Sequence, residues 1–71
     1  MMAGFWQYNS RPNEAGWYAV LVCYDEAEGM FPQAAHWDGN NWGRKAVVSF
    51  GESRATEQGA KALAYEYDPG A

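Results

Sequence analysis

From Trp17 to Tyr24 the chain reads Trp-Tyr-Ala-Val-Leu-Val-Cys-Tyr, with no charged residue to interrupt it. Aromatic and β-branched side chains in an unbroken run favour extended backbone. Successive side chains of a strand point to opposite faces, which puts Trp17, Ala19, Leu21 and Cys23 on one side and Tyr18, Val20, Val22 and Tyr24 on the other. Both sides are apolar. Such a strand is expected at the centre of a sheet, covered on each face or meeting another chain.

Asp25-Glu26-Ala27-Glu28-Gly29 follows as an acidic hairpin loop, and Met30-Phe31 reopens an extended run through Trp37. Pro32 lies near its start, where a missing backbone donor is tolerated at a strand's first residues or at a sheet edge. Asp38-Gly39-Asn40-Asn41 is the strongest turn signal in the chain, because these residues readily take positive φ, and Trp37 and Trp42 flank it. Ala46-Val47-Val48-Ser49-Phe50 predicts a third strand closed by Gly51. Residues 1–8 are aromatic enough for a short additional strand, separated from Trp17 by a turn-rich stretch containing Pro12 and Gly16.

After Gly51 the period changes. Ser53 is suited to an N-cap, and Arg54 to about Tyr65 reads as an amphipathic helix with Ala55, Gly59, Ala62, Leu63 and Tyr67 on one stripe. Asp68-Pro69-Gly70 ends it, since the residue before a proline is pushed out of the helical region. The predicted class is α+β: a three- to four-stranded antiparallel β-meander with one C-terminal α-helix packed on one face. Residues 1–71 are read as one domain, with 1–15 partly ordered.

A chain of 71 residues buries only about 60% of the surface its unfolded form exposes. With four tryptophans, five tyrosines and three phenylalanines it holds more ring area than one helix over one sheet face should hide. Cys23 is the only cysteine, which excludes an intramolecular disulfide and a cysteine-rich zinc site. Association, a homodimer included, is the natural supplement to so thin a core. A net charge of -4 argues against direct nucleic-acid binding and for a basic partner. The N-terminus has neither a basic n-region nor an apolar h-region, and no apolar run reaches membrane-spanning length; the expectation is a cytoplasmic protein without membrane contact.

Candidate chemistry is sparse. His36 is the only histidine, so two-histidine metal motifs are barred and any acid–base role lacks an orienting partner in sequence. Cys23 has no basic neighbour in sequence and reads as a small buried hydrophobe. Asp38, Asn40 and Asn41 loosely resemble the opening of a calcium loop but lack its closing glutamate. Arg44-Lys45 beside Trp42 is too slight a basic spot for nucleic acid, and Glu66 and Asp68 oppose the helix dipole. No catalytic residue, cofactor or metal is expected. The residues expected to bind protein are Trp37, Trp42, Tyr18 and Tyr24 as aromatic anchors, with Asp25, Glu26 and Glu28 as acidic groups.

Gly16-Trp17-Tyr18-Ala19-Val20-Leu21-Val22, then Ala35-His36-Trp37-Asp38-Gly39 with Trp42, Phe50 and the closing Ala64-Tyr65-Glu66-Tyr67-Asp68-Pro69 together resemble small uncharacterised phage and prophage proteins. In those the strands carry a W-D-G-x-x-W turn and the helix ends in A-Y-E-x-D-P; the resemblance spans most of residues 16 to 69. It transfers no functional residue. It implies a class of work, since small acidic phage proteins often bind host proteins, inhibitors of CRISPR effectors among them.

The sequence therefore predicts a non-enzymatic interaction protein of phage or prophage derivation, acting on a host defence or nucleic-acid-handling protein in an anti-CRISPR-like manner. The alternatives are a phage accessory or structural protein, and a small carbohydrate-binding module with Trp37 and Trp42 as its platform. An enzyme ranks last, because a pocket with converging polar groups is hard to carve from so thin a fold.

Overall fold

In the computed structural model, which describes residues 4–69, the apolar run is β2, Gly16–Val22, with Ala19, Val20, Leu21 and Val22 fully buried. It is a central strand. β3, Phe31–Trp37, pairs with it on one side from Gly16 opposite Trp37 to Val22 opposite Phe31. On the other side lies β4, Val47–Arg54, and beyond that the two-residue β1, Gln7–Tyr8. The sheet order is β1-β4-β2-β3, antiparallel at every pairing, and α1, Glu57–Glu66, follows the last strand. The α+β class with a four-stranded antiparallel sheet and one C-terminal helix is as the sequence predicts.

The order in space is not that of a sequential meander. β3 and β4 both run antiparallel to β2, so they are parallel to each other, and residues 38–46 cross over β2 to connect them. Local pattern cannot announce this. It specifies that a strand exists, whereas which side of β2 it joins depends on contacts distant in sequence.

β4 also runs past its expected end. Gly51 does not close it; it is buried within the strand, and a Cβ there would overlap the ring of Phe5. Ser53 pairs with Tyr18 and Arg54 with Trp17, so the ladder claims both residues and the helix begins later than its propensities suggest. Thr56, not Ser53, is the N-cap, its Oγ1 accepting from the Gly59 N–H at 3.0 Å. The buried stripe is Ala60, Leu63 and Ala64; of the stripe predicted from the sequence, Leu63 is buried, Gly59 is half-buried, and Ala55, Ala62 and Tyr67 are exposed. Between Val20 and Tyr18, β4 carries one residue more than β2, a bulge at the level of Gly51 and Glu52.

Two cores result. On the helix side Ala19, Leu63 and Ala64 meet, with Phe5 and Trp6 of the N-terminal segment packed against them. On the opposite side Val20, Val22, Ala35 and Phe50 cluster beneath Tyr18, Trp42 and Val47. The sequence reading left this second face open to a partner; the chain's own crossover covers it, because Trp42 is carried onto it by residues 38–46. Phe5 and Trp6 tie the N-terminal segment to the helix end, with the Phe5 and Tyr67 rings stacked at 3.9 Å.

Candidate functional site at the β2–β3 hairpin tip

Asp25 builds the turn between β2 and β3. Its Oδ1 accepts from Ala27 N–H at 2.9 Å, and its carbonyl accepts from the N–H groups of Glu28 at 2.9 Å and Gly29 at 3.2 Å. Gly29, at φ 84°, supplies the left-handed residue that returns the chain to β3. With Asp25 engaged in the turn, Glu26 and Glu28 are left as the carboxylates that project into solvent. Around them stand Tyr24, Met30 and Phe31, exposed by 58%, 41% and 41%. Large apolar side chains on both legs of the hairpin thus flank an acidic tip.

The tip is anchored below. Cys23 N–H donates to the Ala46 carbonyl at 3.0 Å, and Arg44 Nη1 reaches the Tyr24 hydroxyl at 3.5 Å. The same guanidinium donates from Nε to the Ala34 carbonyl at 3.0 Å, so Arg44 links crossover, edge strand and tip. It is a structural cation here, which removes the basic spot suggested by Arg44-Lys45.

The predicted protein-binding residues divide. Tyr24, Asp25, Glu26 and Glu28 lie together at the tip and are exposed. Trp37, Trp42 and Tyr18 do not join them: Tyr18 and Trp42 cover the second core, and Trp37 packs against Trp42. Trp37 is only 4% exposed, and the Trp42 ring meets it at 5.0 Å and 61°. Trp42 also lies 5.9 Å from Tyr18, edge to face, and 6.0 Å from Phe50, while the Tyr18 hydroxyl donates to the Glu14 carbonyl at 2.7 Å. Two indoles inclined to one another, one of them buried, make no flat platform for a sugar ring. Sequence reasoning missed Met30 and Phe31; the available signal was their position at a loop-to-strand junction just before Pro32.

The remaining candidates are structural. Asp38 Oδ1 accepts from the N–H groups of Asn40 and Asn41, each at 2.7 Å, which closes the turn whose sequence loosely resembles the opening of a calcium loop. Those two donors, Asn41 foremost, hold the Asp38 carboxyl below the ordinary aspartate range. His36 is an exposed strand residue whose ring meets Trp17 edge to face at 5.1 Å.

The free edge of β3 is closed to further strands. Pro32 has no N–H, Ala34 N–H is met by its neighbour Gln33 Oε1 at 3.3 Å, and the Ala34 carbonyl by Arg44. The His36 carbonyl accepts from Gly43 N–H at 2.8 Å, so every second residue along this edge is blocked. A partner at the tip must therefore be met by side chains. Among the described residues no helix is long and apolar enough to cross a membrane. Comparison with protein-family models, with curated proteins and with solved structures finds no match for the chain.

Proposed function

We propose that this is a non-enzymatic interaction protein that binds a protein partner through the β2–β3 hairpin tip. The observation that supports the reading is the exposure of Tyr24, Met30 and Phe31 around Glu26 and Glu28, on a turn whose backbone is already satisfied by Asp25. Apolar anchors are the residues that supply binding energy at interfaces, and flanking charges choose the partner and steer it. A partner complementary to this tip carries an apolar pocket rimmed by Arg or Lys. Nucleic-acid-handling proteins expose such basic surfaces, and the resemblance to phage proteins makes a bacterial host's defence factor the specific candidate.

The test is affinity capture from bacterial host lysate with the wild-type chain and with a Tyr24→Ala/Phe31→Ala variant of unchanged thermal stability. A protein retained by the first and lost with the second supports the reading. Identical captured sets reject it.

A further inference from the structure

The face opposite α1 carries a cleft of about 550 Å³, between the segment that follows β1 and the first half of β4. Asn9, at φ 59°, turns the chain so that residues 9–11 form one wall; Trp42, Val47, Val48 and Phe50, with Ser49 among them, form the rest. Asn is among the few residues that accept this conformation readily, so the wall is encoded locally.

Its chemistry runs against that of the chain. Nine acidic residues outnumber five basic ones overall, yet no Asp or Glu lines the cleft and Arg11 does. Arg11 is exposed, and among the described residues its guanidinium has no carboxylate partner, whereas Arg54 is paired with Glu52 and Arg44 is bonded to Ala34 and Tyr24. Trp42 is half-buried and its indole N–H is likewise unbonded among them. The cleft thus offers an apolar wall of indole, phenyl and valine beside the Arg11 guanidinium, a group that can only donate, with the Ser10 hydroxyl and the Asn9 amide able to donate as well as accept.

From this complementarity we infer that the cleft bounded by Arg11 and Trp42 is a binding site for a small aromatic monocarboxylate. The ring of such a ligand replaces water against Trp42, Val48 and Phe50, while its carboxylate meets the planar fork of Arg11. The volume falls within the range of small-molecule sites, roughly 300–1,000 Å³. The site is separate from the hairpin tip and does not depend on the function proposed for it.

Naphthylacetate and its uncharged amide, titrated into the full chain and followed by two-dimensional NMR, test the inference. The acid is expected to shift the Trp42 indole N–H and the Val48 amide saturably and to bind about tenfold more tightly than the amide, the equivalent of 1.4 kcal/mol. In Arg11→Gln the acid should fall to the affinity of the amide, with the amide's own affinity unchanged. Equal affinities in the wild type, shifts confined to residues outside the cleft, or no saturable shift at millimolar ligand would each overturn it. Because Arg11 is exposed and has no hydrogen-bond or carboxylate partner among the described residues, its replacement is expected to leave the fold intact, which the unchanged amide titration verifies.

Discussion

The indole N–H of Trp6 donates to the carbonyl of Tyr67 at 2.9 Å, joining residues 61 positions apart. Tyr67 is the C-cap of α1, and no basic side chain occupies the helix's last turn to meet its carbonyls. Trp6 takes that part from the opposite end of the chain. Trp6→Phe keeps an aromatic ring but removes the donor; it is expected to cost about 1 kcal/mol, typical of one hydrogen bond. For a domain of this size that lowers the melting temperature by roughly 4–8 °C. An unchanged melting temperature would show that the helix end does not depend on this bond.

Gly51 is buried in β4 because the Phe5 ring lies where a side chain would begin. Gly51→Ala therefore cannot be accommodated without moving Phe5, and with it the ring stacked on Tyr67. Overpacking of this kind costs about 1–3 kcal/mol. Chemical denaturation should show the loss, and Gly51→Ala combined with Phe5→Ala should lose less than the sum of the two single changes, since the clash is then gone. Strict additivity would contradict the proposed contact.

Ala46 sits at φ 66°, in the left-handed region that alanine occupies at a cost of about 1–2 kcal/mol. Its carbonyl accepts from Cys23 N–H, so the conformation is held by a bond that any residue at 46 would make. Ala46→Gly removes the steric cost and adds unfolded-chain entropy of about 0.4–1 kcal/mol. The net expectation is a gain of about 0.5–1 kcal/mol, seen as a higher denaturation midpoint at constant slope. A lower midpoint would refute it.

These positions also show what can be read from one dimension. The existence of β2, β3 and α1 was legible because each is written in local periodicity and turn chemistry. The apolar run 17–24 gave the central strand, and the acidic 25–29 gave the tip and the exposure of its carboxylates. What was not legible was long-range. Ser53 has the chemistry of an N-cap, but pairing with Tyr18 holds it in the sheet and Thr56 caps instead. Trp37 and Trp42 flank a strong turn and look exposed by position, yet Trp37 is buried at the end of β3 and the crossover over β2 turns Trp42 inward onto it, Tyr18 and Phe50. A count of rings against one helix missed that a loop can serve as the second cover.

Backbone donors from Asn41 and Asn40 depress the pKa of Asp38 in the folded state. A carboxyl whose folded pKa lies below its unfolded value adds stability that is full above the unfolded pKa and is lost as pH falls through the folded one. The Asp38 carboxyl should titrate by NMR with a midpoint below its ordinary 3.8. Asp38→Asn keeps an acceptor for the turn without a proton to gain, so its stability should fall less steeply with acid than that of the wild type. A midpoint at or above the ordinary value, or parallel acid profiles, would show that the turn does not hold the charge.

Arg44 protects the sheet at its outer edge, and its removal should change association as well as stability. Ala34 is buried, and its carbonyl faces away from β2 toward the Arg44 Nε at 3.0 Å. Arg44→Ala leaves that acceptor without its charged donor, at a cost of about 1.5–3 kcal/mol. It also opens the middle of an edge otherwise closed by Pro32 and by the bond from Gly43 to His36. Arg44→Lys retains a cation able to reach a carbonyl but not the planar fork, and should recover part of the stability and most of the protection. Sedimentation across a concentration series separates the two effects: the alanine variant should self-associate at concentrations where the wild type and the lysine variant keep one size. Loss of stability without new association would mean that the edge is guarded by Pro32, Gln33 and Gly43 without Arg44, which then serves only to fasten the crossover to the hairpin tip.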